Sequence, residues 1–310
     1  MEISASLVKE LRDRSGAGMM DCKKVLAEAN GDIEAAIQLL KEKGLAKAAK
    51  KAGNIAAEGL VLINIDADNK NGLMLELNCE TDFAAKSPDF KALSAIVVDY
   101  FVKNGKEVGT AVDMQEKFYD AAIEEITTTA IAKIGENIKP RRFVKYAVNA
   151  NGYIHSYVHL GGKIGVMIEI EADKPEATAN PELHEMADSL CMQIASMKPE
   201  CVNPDEFPTS LIESERAAYR VQVLELGKPE NMVDKIVDGK IKKYISDNTL
   251  LEQVFVMNND LVIKDYIKGI GNKIGAAIKV KRFSRFEMGE GIAKKQDNFA
   301  EEVAAQVKNS

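Results

Sequence analysis

The sequence predicts an α+β protein in which a small helical module precedes a core made of two similar halves. Apolar residues at helical spacing, separated by capping residues, occupy residues 4–40. From Glu58 onward the apolar residues form the short runs that are typical of β-strands. The same strand pattern recurs 93 residues later. These observations predict a helical module at 1–55, core subdomain N at 56–148, core subdomain C at 149–284 and a C-terminal module at 285–310.

Three short helices are predicted in the N-terminal module. The first follows Ser4, a suitable N-cap residue, and the next two are predicted to be capped by Asp21 and Asp32. The segment Lys41–Lys51 then contains five lysines but no aromatic residue on which a nucleic-acid base could stack. We interpret it as a solvated helix and linker, and a contact with nucleic acid or an acidic partner is the alternative.

An internal repeat organises the core. The strands predicted at Gly59–Asp66 and Gly72–Leu77 match those at Gly152–His159 and Gly165–Ile170. The second strand of each pair has a glycine, a methionine and a glutamate at the same offsets. Apolar residues of a following helix also correspond: Phe90, Leu93 and Val97 match Leu183, Met186 and Leu190. Each half is therefore predicted to be a β-hairpin followed by a helix.

Further helices are predicted between and within the two halves. Met114–Ile134 is predicted as one amphipathic helix. An insertion at residues 208–246 contains the helical stretches Pro208–Leu226 and Pro229–Tyr244, and so short a connection predicts an antiparallel hairpin. Because a projecting hairpin cannot bury an apolar stripe alone, we expect it to pair with a partner helix or, in a homodimer, with a second copy. A terminal helix is predicted at Phe299–Val307.

The composition excludes several classes of protein. Hydrophobic residues make up 46% and charged residues 29% of the chain, a balance that suits a globular core and is too apolar for a disordered protein. The net charge of −7 argues against nucleic acid as the main partner, because that binding depends on phosphate neutralisation by Lys and Arg. The apolar runs are far shorter than the ~20 residues of a membrane span, and the first residues lack a secretory pattern. We therefore expect a cytoplasmic location and no membrane partner.

The sequence carries no catalytic constellation. It lacks the G-x-S-x-G, H-E-x-x-H and C-x-x-C motifs. His155 and His159 share one face of a predicted strand, but a metal site would need a further ligand. Glu80 and Asp82 form a conceivable acid–base pair, yet nothing nearby completes a site. We therefore expect no enzyme activity, no cofactor and no metal, and an exposed contact role for His159.

The segment that ends in Phe83 has a different character. A predicted buried strand runs directly into the polar residues Thr81 and Asp82, which favour a turn that holds the next side chain outward. Packing of Phe83 into the core is the alternative. The second half has Asp173-Lys174 in the place of Asp82-Phe83, so the shared fold does not require the aromatic residue. A fixed, exposed aromatic side chain beside a charge is typical of a protein interface.

Two motifs resemble signatures of the bacterial translation elongation factor Ts family. One runs from Leu11 to Lys24 and the other from Glu76 to Lys86. Further matches follow in chain order at Ala48–Ala52, Ile134–Asn137, His159 with Gly162–Val166, and Arg285–Gly291. Two departures are mild, since Ser15 stands where the family often has Thr and Ala84 where it often has Val.

The resemblance implies a guanine-nucleotide exchange factor that makes no chemical bonds. Such a factor binds elongation factor Tu, a GTPase, and promotes the release of its GDP so that GTP can load. The N-terminal module would be similar to ubiquitin-associated domains, and the C-terminal helix would also contact the GTPase. The residues that the resemblance assigns to the partner are Thr81, Asp82, Phe83 and Ala84 near its magnesium and nucleotide, Met19 and Met20 on the module, and His159 and Gly162 in a second contact area.

Two other functional classes are compatible with parts of the sequence. A plain ubiquitin-associated-type scaffold would account for the first 43 residues but leaves the repeat unexplained. A nucleic-acid binder would rest on Lys41–Lys51 alone.

Overall fold

The computed structural model describes residues 3–106, 108–114 and 118–293 and has an α+β architecture. The helices are α1 Ala5–Ser15, α2 Met19–Glu28, α3 Ile33–Lys51, α4 Asp82–Lys86, α5 Pro88–Asn104, α6 Ala121–Ile134, α7 Pro181–Met197, α8 Thr209–Glu225, α9 Glu230–Asp247 and α10 Ile263–Ile274. The strands are β1 Glu58–Ile65, β2 Asn71–Cys79, β3 Val108–Asp113, β4 Lys139–Ala147, β5 Gly152–His159, β6 Ile164–Ala172, β7 Val254–Phe255, β8 Asn258–Val262 and β9 Ile278–Glu287.

The first three helices pack around a small apolar core. Ser4 caps α1 by accepting a hydrogen bond from the Leu7 N–H at 3.3 Å, and Asp32 caps α3 through the Ala35 N–H at 3.0 Å, as predicted. The prediction that Asp21 caps the second helix is wrong, because α2 already begins at Met19 behind Gly18. Asp21 instead lies in the first turn of α2, where a negative charge favours the positive end of the helix dipole.

Helix α3 joins the module to the core without a linker at 41–51. It continues to Lys51 and packs against α6. Gly44 lies at the contact, where an added Cβ would be 3.5 Å from the Ala132 Cβ. The Lys47 ammonium group also donates a hydrogen bond to the Ala132 carbonyl oxygen at 2.9 Å. The last turns of α3 therefore belong to the core as much as to the module.

Two antiparallel sheets lie face to face between layers of helices. The first has the strand order β1-β2-β4-β3 and the second the order β5-β6-β9, while β7 and β8 form a separate pair. In β2, Leu73, Leu75 and Leu77 face the core formed with α5 and α6, whereas Met74 packs against Met167 of β6 in the layer between the sheets. The central strands are therefore buried on both faces, which explains their nearly continuous apolar sequences.

Both predicted hairpins of the repeat are present, and the similarity extends further than the sequence indicated. Strand β4 adds to the first hairpin as β9 adds to the second, and each pairing has an irregularity after a glutamate of the central strand. Glu76 in β2 binds Arg142 at 2.6 Å, and Glu169 in β6 binds Arg282 at 2.5 Å. Because an unpaired carboxylate would be costly between the sheets, the two ion pairs are part of the shared fold.

The insertion forms the predicted helical hairpin from α8 and α9. Its apolar stripe is buried between its own two helices, since Val223 meets Val233, Val237 and Ile241 there. Exposed ion pairs such as Arg216–Asp238, at 2.5 Å, connect the same helices. The expectation that the stripe needs a partner for its burial is therefore wrong, and dimerisation through the hairpin stays a prediction.

The structure corrects the prediction of one long helix at Met114–Ile134. Strand β3 precedes this segment, and α6 begins at Ala121 because Asp120 caps it through the N–H groups of Ala122 and Ile123 at 3.0 and 3.1 Å. Met114 is itself buried in the core of the first sheet.

The correspondence of Asp173 with Asp82 is also wrong. Asp173 follows β6 directly, as Glu80 follows β2, so Asp173 corresponds to Glu80. Strand β9 continues through the boundary predicted between residues 284 and 285. The terminal helix predicted at Phe299–Val307 lies outside the described residues. Within the described ranges, none of the helices is both long and apolar enough for a membrane span.

Two glycines allow the sheets to approach closely. A Cβ at Gly72 would be 2.7 Å from the Met167 Sδ, and one at Gly165 would overlap Val61 and lie 3.2 Å from the Met74 Sδ. The two positions are equivalent in the repeat, so the same small residue solves the same packing problem twice.

We predict that Gly165→Ala lowers the free energy of unfolding by about 1–3 kcal/mol, because the new methyl group overpacks the layer between the sheets. Gly239→Ala in α9 is the matched control, since a Cβ there would meet no atom of the described residues within 4 Å. This control is expected to stabilise the protein by about 0.5–1 kcal/mol through helix propensity. Urea unfolding followed by circular dichroism measures both changes, and equal effects of the two variants would contradict the close packing.

Candidate functional site

Phe83 projects from a short helix at the end of a buried strand. It lies in the first turn of α4, and its side chain is 82% exposed, the largest fraction of any large apolar side chain among the described residues. Thr81 is the N-cap of α4, and its Oγ1 accepts a hydrogen bond from the Ala84 N–H at 3.1 Å. Ala84 and Ala85 are buried against the first sheet. The predicted outward orientation of Phe83 is thus confirmed, although a capped helix rather than a turn provides it.

Two carboxylates connect the start of α4 to the turn before β4. The Glu136 carboxylate accepts hydrogen bonds from the N–H groups of Glu80 and Thr81, at 3.1 and 3.0 Å, and from the Thr81 hydroxyl at 2.6 Å. In the opposite direction, the Glu80 carboxylate accepts a hydrogen bond from the Asn137 N–H at 2.6 Å. The two segments are therefore bound to each other reciprocally.

Glu80 also binds the end of α3. Its carboxylate accepts a hydrogen bond from the Asn54 side-chain amide at 2.9 Å and lies 3.4 Å from the Lys51 ammonium group. Desolvation raises the pKa of Glu80, but the hydrogen bonds from Asn137 and Asn54 and the charge of Lys51 outweigh it and hold the pKa below its ordinary value. Glu80 is therefore an ionised structural anchor rather than half of an acid–base pair with Asp82.

Asp82 places a negative charge beside Phe83. Its carboxylate accepts a hydrogen bond from the Lys86 ammonium group at 2.6 Å on the next turn of α4. This hydrogen bond lowers the pKa of Asp82, and the charge of Lys163 lowers it further. The exposed end of α4 thus presents an aromatic ring together with an ionised carboxylate.

The turn that follows β5 of the second sheet lies against the end of the first sheet from which α4 begins. His159 is exposed and its Nδ1 is 2.9 Å from the Tyr157 hydroxyl. Leu160 is 71% exposed in a left-handed backbone conformation with φ 49°. Gly162 is buried, and its carbonyl accepts a hydrogen bond from the Val61 N–H at 2.8 Å. The structure therefore places His159 on the surface as predicted, whereas Gly162 holds the turn against β1.

Met19 and Met20 form a separate exposed pair on the module. They occupy the first two positions of α2 and are 59% and 66% exposed. Helix α3 connects this module to the Phe83 site, because Lys51 at its end binds Glu80. The three predicted contact areas are thus carried by different parts of the chain.

The lysine-rich segment is largely neutralised by acidic residues. The ion pairs are Lys41–Glu125 at 2.8 Å, Lys43–Glu28 at 2.7 Å, Lys47–Asp21 at 4.0 Å and Lys51–Glu80 at 3.4 Å. These pairs favour the interpretation of a solvated helix face over that of a nucleic-acid contact.

Burial shifts the pKa of two further titratable groups, Cys79 beside the Phe83 site and His155 in the second half. Burial, with a contribution from the charge of Glu136, raises the pKa of Cys79 to about 12, so that residue is a neutral thiol. His155 lies 3.4 Å from an Asp188 carboxylate oxygen, and burial lowers its pKa. In the part of the chain that the structure describes, no set of three or more His, Cys, Asp or Glu residues is arranged to hold a metal ion.

Sequence reasoning gave no role to several residues that build this site. Glu136 and Asn137 are separated from Thr81 by more than 50 positions, and such pairing leaves no periodic pattern. The exposure of Leu160 could not be predicted, because an exposed leucine has no signature in a single sequence. The proximity of Asn137 to Glu80 follows from the pairing of β4 with β2, which only the folded chain reveals.

The comparisons with known proteins agree along the chain. The family model described as Elongation factor TS matches residues 80–290, from the start of the Phe83 site to the segment after β9. Elongation factor Ts of Clostridium acetobutylicum is 46% identical over 310 residues, covering 99% of both chains. The protein of the same name from Clostridium botulinum is 49% identical over 310 residues, covering 98% of this chain and 99% of the relative, and that of Bdellovibrio bacteriovorus is 45% identical over 308 residues, covering 99% of each. The chain therefore belongs to the elongation factor Ts family of translation elongation factors.

Proposed function

We propose that this protein is a cytoplasmic guanine-nucleotide exchange factor that binds elongation factor Tu and promotes the release of its GDP. It makes and breaks no covalent bonds in this role. The observation that carries the proposal is the exposed Phe83 ring, which a capped helix and a buried strand hold away from the protein's own core. Membership of the elongation factor Ts family supports the choice of partner.

The proposed mechanism is the insertion of the α4 tip beside the magnesium and nucleotide of the partner. Burying one Phe side chain contributes roughly 1.5–3 kcal/mol, which is available to offset lost contacts to the nucleotide. The ionised Asp82 carboxylate would enter with the ring, and its negative charge would oppose the phosphate groups of GDP. Because coupling between two ligands is reciprocal, a factor that weakens GDP binding is itself bound less tightly when GDP is present.

The other exposed residues are proposed to supply affinity. Met19 and Met20 offer flexible, polarisable side chains that adapt to a partner surface. His159 would form a second contact area, and Gly162 would support it by holding the turn. The division into a ubiquitin-associated-like module, two core subdomains and a C-terminal module remains part of this proposal, as does a homodimer through the helical hairpin. No direct contact with nucleic acid and no membrane partner are proposed.

We predict that Phe83→Ala slows stimulated GDP release by about 10- to 100-fold, the factor that corresponds to the burial of one aromatic side chain. The assay follows fluorescent GDP leaving elongation factor Tu with and without the factor. Because Phe83 is exposed in the free protein, its free energy of unfolding should change by less than about 0.5 kcal/mol.

The matched control is Ile96→Ala, which removes an exposed apolar side chain from the neighbouring helix α5. This variant is expected to stimulate GDP release from elongation factor Tu at the rate seen with the unsubstituted protein. Release by Phe83→Ala at that same rate would show that the insertion mechanism is wrong.

We further predict that the double variant Met19→Ala/Met20→Ala raises the factor concentration needed for half-maximal stimulation by about tenfold, the effect of losing ~1.4 kcal/mol of binding. The release rate at saturating factor should stay close to that of the unsubstituted protein, because these residues contribute affinity and do not enter the nucleotide site. Met197→Ala, at the exposed end of α7, serves as the control. A lower rate at saturation with unchanged half-maximal concentration would contradict this assignment.

A further inference from the structure

We propose that Glu136 is the positioning residue that holds the Phe83 helix in the orientation required for GDP release, an inference that rests on the proposed function. The carboxylate lies on the turn before β4, opposite the start of α4. Among the described residues, its hydrogen bonds go to Glu80 and Thr81, and none goes to Phe83 or to the Asp82 carboxylate. Its action on the exposed tip is therefore indirect and runs through Thr81.

The geometry shows why α4 needs this support. A helix of five residues is too short to be stable by itself, because nucleation fixes several residues for a single hydrogen bond. The Glu136 carboxylate accepts a hydrogen bond from the Thr81 N–H, which has no acceptor within the helix because it lies at the helix start. It also accepts the single proton of the Thr81 hydroxyl at 2.6 Å, which leaves the lone pairs of Oγ1 directed at the Ala84 N–H. One carboxylate thus orients the cap that starts the helix.

The internal repeat provides a comparison within the same chain. In both halves an acid follows the central strand and accepts a hydrogen bond from a distant N–H, which is Asn137 for Glu80 at 2.6 Å and Ala277 for Asp173 at 2.9 Å. The shared fold therefore uses this bond twice. Glu136 has no such counterpart, because the residue before Ala277 is Ala276.

The half with Ala276 also lacks an exposed aromatic tip. There the chain continues through Lys174 into a 3₁₀ helix at Pro175–Ala179, whose N-cap makes no side-chain hydrogen bond. Glu136 is thus present in the half that carries Phe83 and absent from the half that does not. This distribution assigns Glu136 to the tip rather than to the common scaffold.

The first test measures amide hydrogen exchange by NMR in the free, full-length protein. In Glu136→Ala, exchange at Thr81 and Ala84 is expected to accelerate at least tenfold, a loss of ~1.4 kcal/mol of protection. The Ala277 amide, held by Asp173 in the other half, should keep its rate. Unchanged exchange at Thr81 and Ala84 would overturn the inference.

The second test is a double-mutant cycle on stimulated GDP release at saturating factor. Glu136→Ala is expected to slow release about tenfold in the unsubstituted protein but to have almost no further effect in Phe83→Ala, because both changes remove the same contact. Glu182→Gln, which removes a half-buried carboxylate paired with Lys273 in the second half, should leave release unchanged. Glu136→Gln keeps the shape of the side chain and one carbonyl acceptor, so its release rate should lie between those of the unsubstituted protein and Glu136→Ala. It replaces the alanine variant in the cycle if Glu136→Ala unfolds.

The outcomes separate this inference from the proposed function. If stimulated GDP release is slow with Phe83→Ala but normal with Glu136→Ala and Glu136→Gln, only the role of Glu136 is refuted. If Glu136→Ala slows release equally in both backgrounds, it acts independently of Phe83 and the inference is also refuted. If Phe83→Ala itself releases GDP normally, the proposed function fails and the inference fails with it.

Discussion

Gly72 and Gly165 let the two sheets lie so close that Met74 and Met167 share one layer between them. This contact buries the central strands β2 and β6 on both faces, with helices covering their other sides. It also encloses the carboxylates of glutamates in both strands, which must then be neutralised by the arginines opposite them. Packing and charge pairing in the core therefore both follow from this close approach.

The same constraint gives the candidate site its rigidity. Strand β2 ends in a packed core, so the residues immediately after it start from a fixed position. The hydrogen bonds around Thr81 then convert that position into a fixed direction for Phe83. An aromatic side chain that is already held in place loses little conformational freedom when a partner covers it, and such preorganisation favours affinity. The internal repeat shows that this tip is an addition to the scaffold, since the second half has the same strand without it.

Local patterns predicted well wherever the deciding interaction is also local. The caps at Ser4 and Asp32 and both hairpins are confirmed because capping residues and short apolar runs act over a few residues. The exposure of Phe83 was predicted from the polar residues before it. The predicted helix at Met114–Ile134 was wrong because apolar spacing alone did not reveal that Asp120 caps a helix beginning at Ala121. The expectation that the helical hairpin needs a partner was wrong for a related reason, since the apolar residues of its two helices bury one another.

By itself the sequence determined the α+β class, the duplicated hairpins, the family and the residues of the exposed tip. It could do so because periodicity, caps and motifs are written in neighbouring residues. Only the tertiary structure decided that Gly72 and Gly165 meet the opposite sheet and that Glu136 supports Thr81. These relations join residues far apart in the chain, and their physical basis is the pairing and stacking of strands, which no single segment of sequence contains.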